Sequence, residues 1–296
     1  PNNRWSFQNM SSIFNTTKLE KSPSPFVLSH KPESIEAFEF EGLNGKITIR
    51  QMLNESFTDA FLVLKNSEIV FEEYQNNMSP ESLHLMNSVS KTFVGMLIGV
   101  LAEEDKLSPN DEVIQYIPEL EKTAFQGTTI QHALDMSAAV KFSEHYDDGD
   151  SKFWHEAAVV GWRPDLEKGS SPKTLLDYMS NLKETSQKND EKFDYRTVLT
   201  NLVALAAERA CGEKFQTILQ KYIWDKLHAE CDAKIVTDKN GFPYMGAGMN
   251  ASARDLAKFG LMLMNNGVFN GTQVVPASWI QATLSQDRKY KNNFLK

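Results

Sequence analysis

Residues 87–120 read NSVSKTFVGMLIGVLAEEDKLSPNDEVIQYIPEL, and this stretch decides the fold. Apolar Val89, Phe93, Met96, Leu97, Val100 and Leu101 recur at helical spacing, which predicts a helix over 88–104. Ser88 and Lys91 stand at its start, three residues apart. At that separation two side chains share a helix face and can touch. A serine hydroxyl is a poor nucleophile until something takes its proton. A lysine does so only when neutral, and its reference pKa is about 10.4. Burial disfavours the ammonium, and the flank Phe93-Val94 is consistent with burial. The helix N-terminus offers N–H groups to a developing oxyanion. Spacing alone leaves a second reading open: a capping serine followed by a solvated lysine.

Outward from this segment, FLVLKNSEIVFEEY (61–74) reads as a β-hairpin with a tight turn at Asn66-Ser67. Residues 1 to about 45 are polar and irregular in pattern and read as an arm or linker. The stretch 113–234 is mostly helical and holds two polar segments, SEHYDDGDSK (143–152) and ETSQKNDEKFD (184–194). Long polar loops of this kind often serve as binding loops or lids. A helix over 196–211 is predicted to end at Gly212. Ser252 with Asp255 opens another, which Gly267 closes.

Several segments together resemble the serine β-lactamase and penicillin-binding-protein superfamily: the hairpin, 87–120, TTIQHALDMSAAV (128–140) and GAGMNASARDLAKFGLMLMNNG (246–267). Within it the likeness is to the 6-aminohexanoate-dimer hydrolases and related esterases. KFSEHYDDGDSKFWHEAAVVGW (141–162) is similar to their substrate loop, and RWSFQNMSSIF to their opening segment. The resemblance implies an α/β (α+β) fold, with an antiparallel sheet flanked by helices and an inserted helical domain. The expected division is an arm at 1–45, an α/β part at 46–112 and 235–296, and a helical part at 113–234.

The resemblance also assigns roles. Ser88 is the expected nucleophile and Lys91 its general base. FDYRTVLTN (193–201) places Tyr195 as the family tyrosine, a proton shuttle to the leaving group. Thr197 stands where β-lactamases carry asparagine, and a hydroxyl cannot supply an amide's donor and acceptor pair. That departure favours an amidase or esterase over a β-lactamase. Tyr146 is the expected loop tyrosine that closes on the substrate amide, so Tyr146 and Thr197 are candidate substrate-binding residues. The superfamily's third motif, on a late strand, is not found before the sequence closes on QDRKYKNNFLK, and the C-terminal strands are expected to lie outside this chain. Two rivals remain: a β-lactamase or penicillin-binding carboxypeptidase, and a non-catalytic binding protein on the same fold.

Composition narrows the partners. The chain has 296 residues, 41% hydrophobic and 24% charged, with a net charge of −8. That balance excludes disordered and fibrous classes. The negative charge disfavours nucleic acid and anionic membrane surfaces. The longest apolar run, Thr92 to Ala102, is shorter than the roughly 20 residues a bilayer needs. The opening PNNRWSFQNM is polar and shows no signal peptide, and Pro1 in place of Met leaves room for an upstream segment. A periplasmic or secreted location is slightly favoured over a cytoplasmic one. Cys211 and Cys231 fit no metal or redox spacing; Cys211, at the end of an apolar helical stretch, reads as a buried, inert thiol, and a disulfide is open only in an oxidising compartment. No Gly-rich phosphate loop occurs. The expected partner is a small amide or ester, with no cofactor or metal, and the sequence carries no signal of oligomeric state. His145 and the acidic Asp147, Asp148 and Asp150 read as solvated loop residues, and Trp154 and Trp162 as cleft wall or core.

Overall fold

The structure, a computed structural model, describes residues 2–43, 45–164 and 172–285. The closing QDRKYKNNFLK, and with it the end of the expected α/β part, lies outside the described residues. A four-stranded antiparallel sheet is built from β1 (Thr16–Leu19), β4 (His84–Leu85), β5 (Ala233–Val236) and β6 (Met249–Ala251). Its order is β1-β5-β6-β4, with Thr16 opposite Val236, Ile235 opposite Met249 and Leu85 opposite Asn250. Strand β1 falls in the stretch expected to be irregular. TTKL shows no clear apolar alternation, but it edges the sheet and buries only Leu19 completely.

The expected hairpin is present as β2 (Ala60–Lys65) and β3 (Glu68–Tyr74). Asn66 and Ser67 take φ of 53° and 65°, and this two-residue positive-φ turn matches the twist of its strands. Arg254 pins the hairpin with a forked pair of hydrogen bonds to Glu72, at 2.7 and 2.9 Å. It belongs to the helix Ala253–Met264, which Ser252 caps by accepting from the Asp255 N–H.

Helix α1 (Ser90–Glu103) is the central pillar. It is apolar on most of its surface, and Phe93, Leu97, Ile98 and Leu101 are fully buried. Phe93 stacks on Phe259 with centroids 3.9 Å apart. On another face Gly99 leaves a slot in which Trp279, from the helix Ala277–Leu284, lies flat; any Cβ at Gly99 would collide with the indole. The indole N–H donates to the Gly95 carbonyl at 3.0 Å.

Three more helices frame the site: α2 (Lys152–Val159), α3 (Leu175–Ser180) and α4 (Thr197–Cys211). Helix α4 buries every residue from Thr197 to Ala207, so it runs through the core with little amphipathic contrast. It ends where expected, at Gly212, whose φ of 65° is a left-handed cap.

Candidate active site

The chain enters the site from β4. Asn87 takes φ of 47°, a left-handed turn that asparagine tolerates better than most side chains. Residues Asn87–Val89 then form a 3₁₀ turn, so Ser88 sits just ahead of α1 rather than in its first α-helical turn. Ser90 explains the tighter turn. Its hydroxyl donates to the Asn87 carbonyl at 2.6 Å and accepts from the Met249 N–H at 3.2 Å, tying the turn to β6. Ser88 itself is exposed.

Lys91 Nζ donates three hydrogen bonds: to Ser88 Oγ at 3.0 Å, Thr197 Oγ1 at 3.1 Å and the Gly246 carbonyl at 2.6 Å. The acceptors come from three separate segments. Thr197 opens α4 and is only 1% exposed. Its N–H and its hydroxyl both donate to Glu144, to Oε2 and Oε1, each at 2.6 Å. A hydroxyl has one hydrogen, so with that hydrogen on Glu144 the oxygen can only accept from Lys91. Gly246 can only accept as well. Two of the three Nζ positions are thereby fixed as N–H donors, and the third faces Ser88. That position can hold a proton or a lone pair without disturbing the other two.

Gly246 must be glycine here, since a Cβ would collide with Thr197 Cγ2. Its N–H donates to Asn201 Oδ1 at 2.8 Å, and Asn201 Nδ2 donates to Glu156 Oε1 at 2.9 Å. Glu156, on α2, is fully buried, and burial pushes its pKa up to about 8 against the opposing pull of the Asn201 hydrogen bond.

Tyr195 presents its ring face to Lys91, with Nζ 5.0 Å from the centroid. It is 36% exposed. The next residue anchors it: buried Arg196 donates to Asp194 at 2.6 Å, Ser186 at 3.1 Å and Gln187 at 3.2 Å. With Arg196 held inward, Tyr195 is turned out towards the cleft.

Tyr146 stands on the polar loop before α2. Its hydroxyl donates to Glu144 Oε1 at 2.8 Å. Partial burial, then this carboxylate, push its pKa above the usual phenol value, so it stays a neutral donor. Its ring meets the edge of Phe153 at 5.1 Å, and the Trp154 indole donates to its carbonyl at 3.1 Å. An open cavity of about 420 Å³ lies beside these groups, lined by Glu144, Tyr146, Asp194 and Tyr195 among others.

All five residues singled out in the sequence therefore fall in one neighbourhood. Thr197 joins it through Lys91 and Glu144 rather than by facing open space. Sequence reasoning missed Glu144, Gly246, Asn201 and Glu156. Glu144 lay in the polar loop already singled out, and Asn201 one turn beyond Thr197 on the same face of α4. Glu156 gave no signal, since carboxylates are mostly exposed. The remaining aromatics divide. Trp162 packs on buried Tyr244 at 5.3 Å, whereas Trp154 faces Arg163 at 4.9 Å. Asp150 pairs with His155 at 2.9 Å. Cys211 and Cys231 are free and half-buried. Among the described residues, no group of three or more His, Cys, Asp or Glu is placed to hold a metal. No helix among them is long and apolar enough to cross a membrane.

The family model described as Beta-lactamase matches residues 48–294. A 6-aminohexanoate-dimer hydrolase from Paenarthrobacter ureafaciens is 30% identical over 285 residues, covering 96% of this chain and 70% of the relative. A solved structure from Bacillus anthracis, provisionally named a 6-aminohexanoate-dimer hydrolase, superposes with a TM-score of 0.88 at 27% identity; it covers 95% of this chain and 74% of that one. The octameric penicillin-binding protein homologue from Pyrococcus abyssi superposes with a TM-score of 0.57 at 19% identity, over 79% of this chain and 57% of its own, and carries the fold alone.

Proposed function

The chain belongs to the beta-lactamase family, and on that premise we propose that it hydrolyses a small amide or ester through an acyl-enzyme on Ser88. The observation that carries the reading is the fixed orientation of Lys91. With two Nζ hydrogens committed to Gly246 and Thr197, the neutral amine has its lone pair aimed at Ser88 Oγ, 3.0 Å away. Ser88 Oγ attacks the substrate carbonyl while its proton passes to Nζ. The resulting ammonium donates to the same three oxygens, so the base changes charge without moving. The Tyr195 ring presents its negative face to that charge. The Tyr195 hydroxyl then carries the proton to the departing amine or alcohol, and water releases the acid from Ser88.

On this reading the centre lies between the two parts of the expected division. Ser88, Lys91 and Gly246 come from the α/β part, and Tyr146, Tyr195 and Thr197 from the helical part. The Paenarthrobacter relative's name specifies a linear amide, and we place the substrate of this chain in the same class of small amides and their esters. Tyr146 touches that substrate from the loop side, with its hydroxyl free to leave Glu144 for the scissile amide.

The test is covalent labelling. A fluorophosphonate should add one adduct to the intact protein, mapped to Ser88, and Ser88→Ala should abolish both the adduct and ester hydrolysis by at least about 10³-fold. An adduct elsewhere, or hydrolysis by the alanine variant within tenfold of wild type, would remove Ser88 from the mechanism. Turnover of nitrocefin at rates matching simple esters would favour the β-lactamase rival.

A further inference from the structure

We infer that Glu156 and Asn201 are positioning residues for Lys91, holding the Gly246 peptide in the one orientation that offers its carbonyl to Nζ. The inference rests on the reading of Lys91 as the base and extends it to two residues that do not touch Ser88. The links form one line: Glu156 Oε1 accepts from Asn201 Nδ2 at 2.9 Å, Asn201 Oδ1 accepts from the Gly246 N–H at 2.8 Å, and the Gly246 carbonyl accepts from Lys91 Nζ at 2.6 Å.

Each link has a direction. An amide side chain can present either its oxygen or its NH₂ to Gly246. Only the oxygen suits, because Gly246 offers an N–H. Glu156 selects that face by taking the NH₂ on the other side. Without this choice the amide could turn over and set two donors against each other. The Gly246 peptide would then rotate, and its carbonyl would leave Lys91. The absence of a Cβ at Gly246 lets this peptide lie directly on α4, against Thr197 and Asn201. Both Asn201 and Glu156 are fully buried. Water therefore does not stand in for a lost partner, and the line acts as a unit.

The titratable groups facing Glu156 are Tyr244, whose hydroxyl donates at 3.5 Å, Tyr178 on α3, Glu144 on the loop and Lys91 on α1. Among them Lys91 is the one cation, so the carboxyl can retain a proton without breaking the line. Asn201 asks only for an acceptor oxygen, which the protonated and ionised forms both supply.

The experiment is a polarity swap read by the rate of fluorophosphonate labelling of Ser88 at pH 6 and pH 8.5. Asn201→Asp keeps an oxygen for Gly246 but sets a second carboxyl against Glu156. The two share one proton at low pH and repel when it leaves. The single variant should label at least tenfold more slowly than wild type at pH 8.5 and within threefold at pH 6. The double variant Asn201→Asp/Glu156→Gln restores a donor, now running from residue 156 to residue 201, and should regain at least threefold over the single at pH 8.5. A single variant labelling as wild type at pH 8.5, a loss equal at both pH values, or a double variant short of that recovery would overturn the inference. Thermal melts at both pH values separate a purely structural role, in which slower labelling at pH 8.5 would appear only as the variant unfolds at the assay temperature; a folded variant that labels slowly there carries the inference. If Asn201→Asp does not fold, the double variant decides: a folded protein labelling within tenfold of wild type supports the inference, and slower labelling or no folding overturns it. Lys91→Ala run in parallel separates the premises. Undiminished labelling there overturns the base reading itself, whereas its loss beside an unaffected Asn201→Asp overturns the positioning inference alone.

Discussion

Replacing Thr197 by valine keeps the shape of the side chain and removes one oxygen from the centre of the site. That oxygen accepts from Lys91 Nζ at 3.1 Å and donates to Glu144 Oε1 at 2.6 Å. Its N–H still caps α4 through Glu144 Oε2, so the fold should persist. Tyr146 still donates to Glu144 Oε1, so that carboxylate keeps a partner. The loss therefore falls on Lys91. With one of two fixed acceptors gone, Nζ can rotate about its Gly246 bond, and its third position no longer has to face Ser88. A hydrogen bond from a charged group is worth roughly 1.5–3 kcal/mol, or about 10- to 150-fold in rate. The assay is kcat/KM for a p-nitrophenyl ester together with the rate of fluorophosphonate labelling. Both should fall by the same factor, because each depends on the attack of Ser88 and not on the leaving group. A folded Thr197→Val variant within twofold of wild type in both would refute the claim that this hydroxyl aims the base.

Lys91→Arg should be as inactive as Lys91→Ala, since arginine does not give up its proton near neutral pH, and a clearly active arginine variant would make Lys91 an electrostatic helper. Tyr195→Phe should lower turnover of every substrate, measured as kcat on a matched ester and amide; an effect confined to one of them would argue against a general shuttle. Tyr146→Phe should cut amide hydrolysis about 10- to 150-fold more than ester hydrolysis, because the amine is the poorer leaving group, and equal losses would return Tyr146 to an ordinary loop aromatic. The last outcome is a matter of stability. Glu156 has its carboxyl raised from 4.5 to about 8 in the fold, so its contribution is fully present below about pH 4.5 and is lost as pH rises to about 8. Glu156→Gln carries no such loss, so its melting temperature should gain on wild type between pH 4.5 and 8, and a gap independent of pH would contradict the raised value.

The parts of the fold legible in the sequence were those set by neighbours along the chain. Asn66-Ser67 announced a hairpin because a two-residue turn needs residues that accept positive φ. Gly212 announced the end of α4 for the same reason. Ser88 and Lys91 were brought together by three residues of spacing, and the 3₁₀ turn that holds Ser88 did not alter this. What escaped was set across the chain. Strand β1 pairs with a partner near the other end of the sequence, and TTKL carries no pattern of its own. Gly246 reaches Lys91, with Asn201 behind it and Glu144 behind Thr197, only after α1, α4 and two loops have packed. Glu156 was hidden by a general rule it breaks: a carboxylate on a helix is ordinarily solvated, and this one is enclosed.

The slot on α1 has a consequence for the order in which the protein can be made. Two glycines, Gly95 and Gly99, weaken the helix that carries Lys91 by about 1 kcal/mol each relative to alanine. Trp279 fills the slot at Gly99, and it lies 184 residues further along the chain from the Gly95 carbonyl it binds. At about 5–20 residues per second, a ribosome delivers that indole some 10–40 s after Gly95 has been added. For that interval the helix that carries Lys91 exists without its cover, and the slot is open to any flat apolar group nearby. Lys91 is therefore in the chain well before the indole that secures its helix, and α1 is packed on this face only once residue 279 has been made.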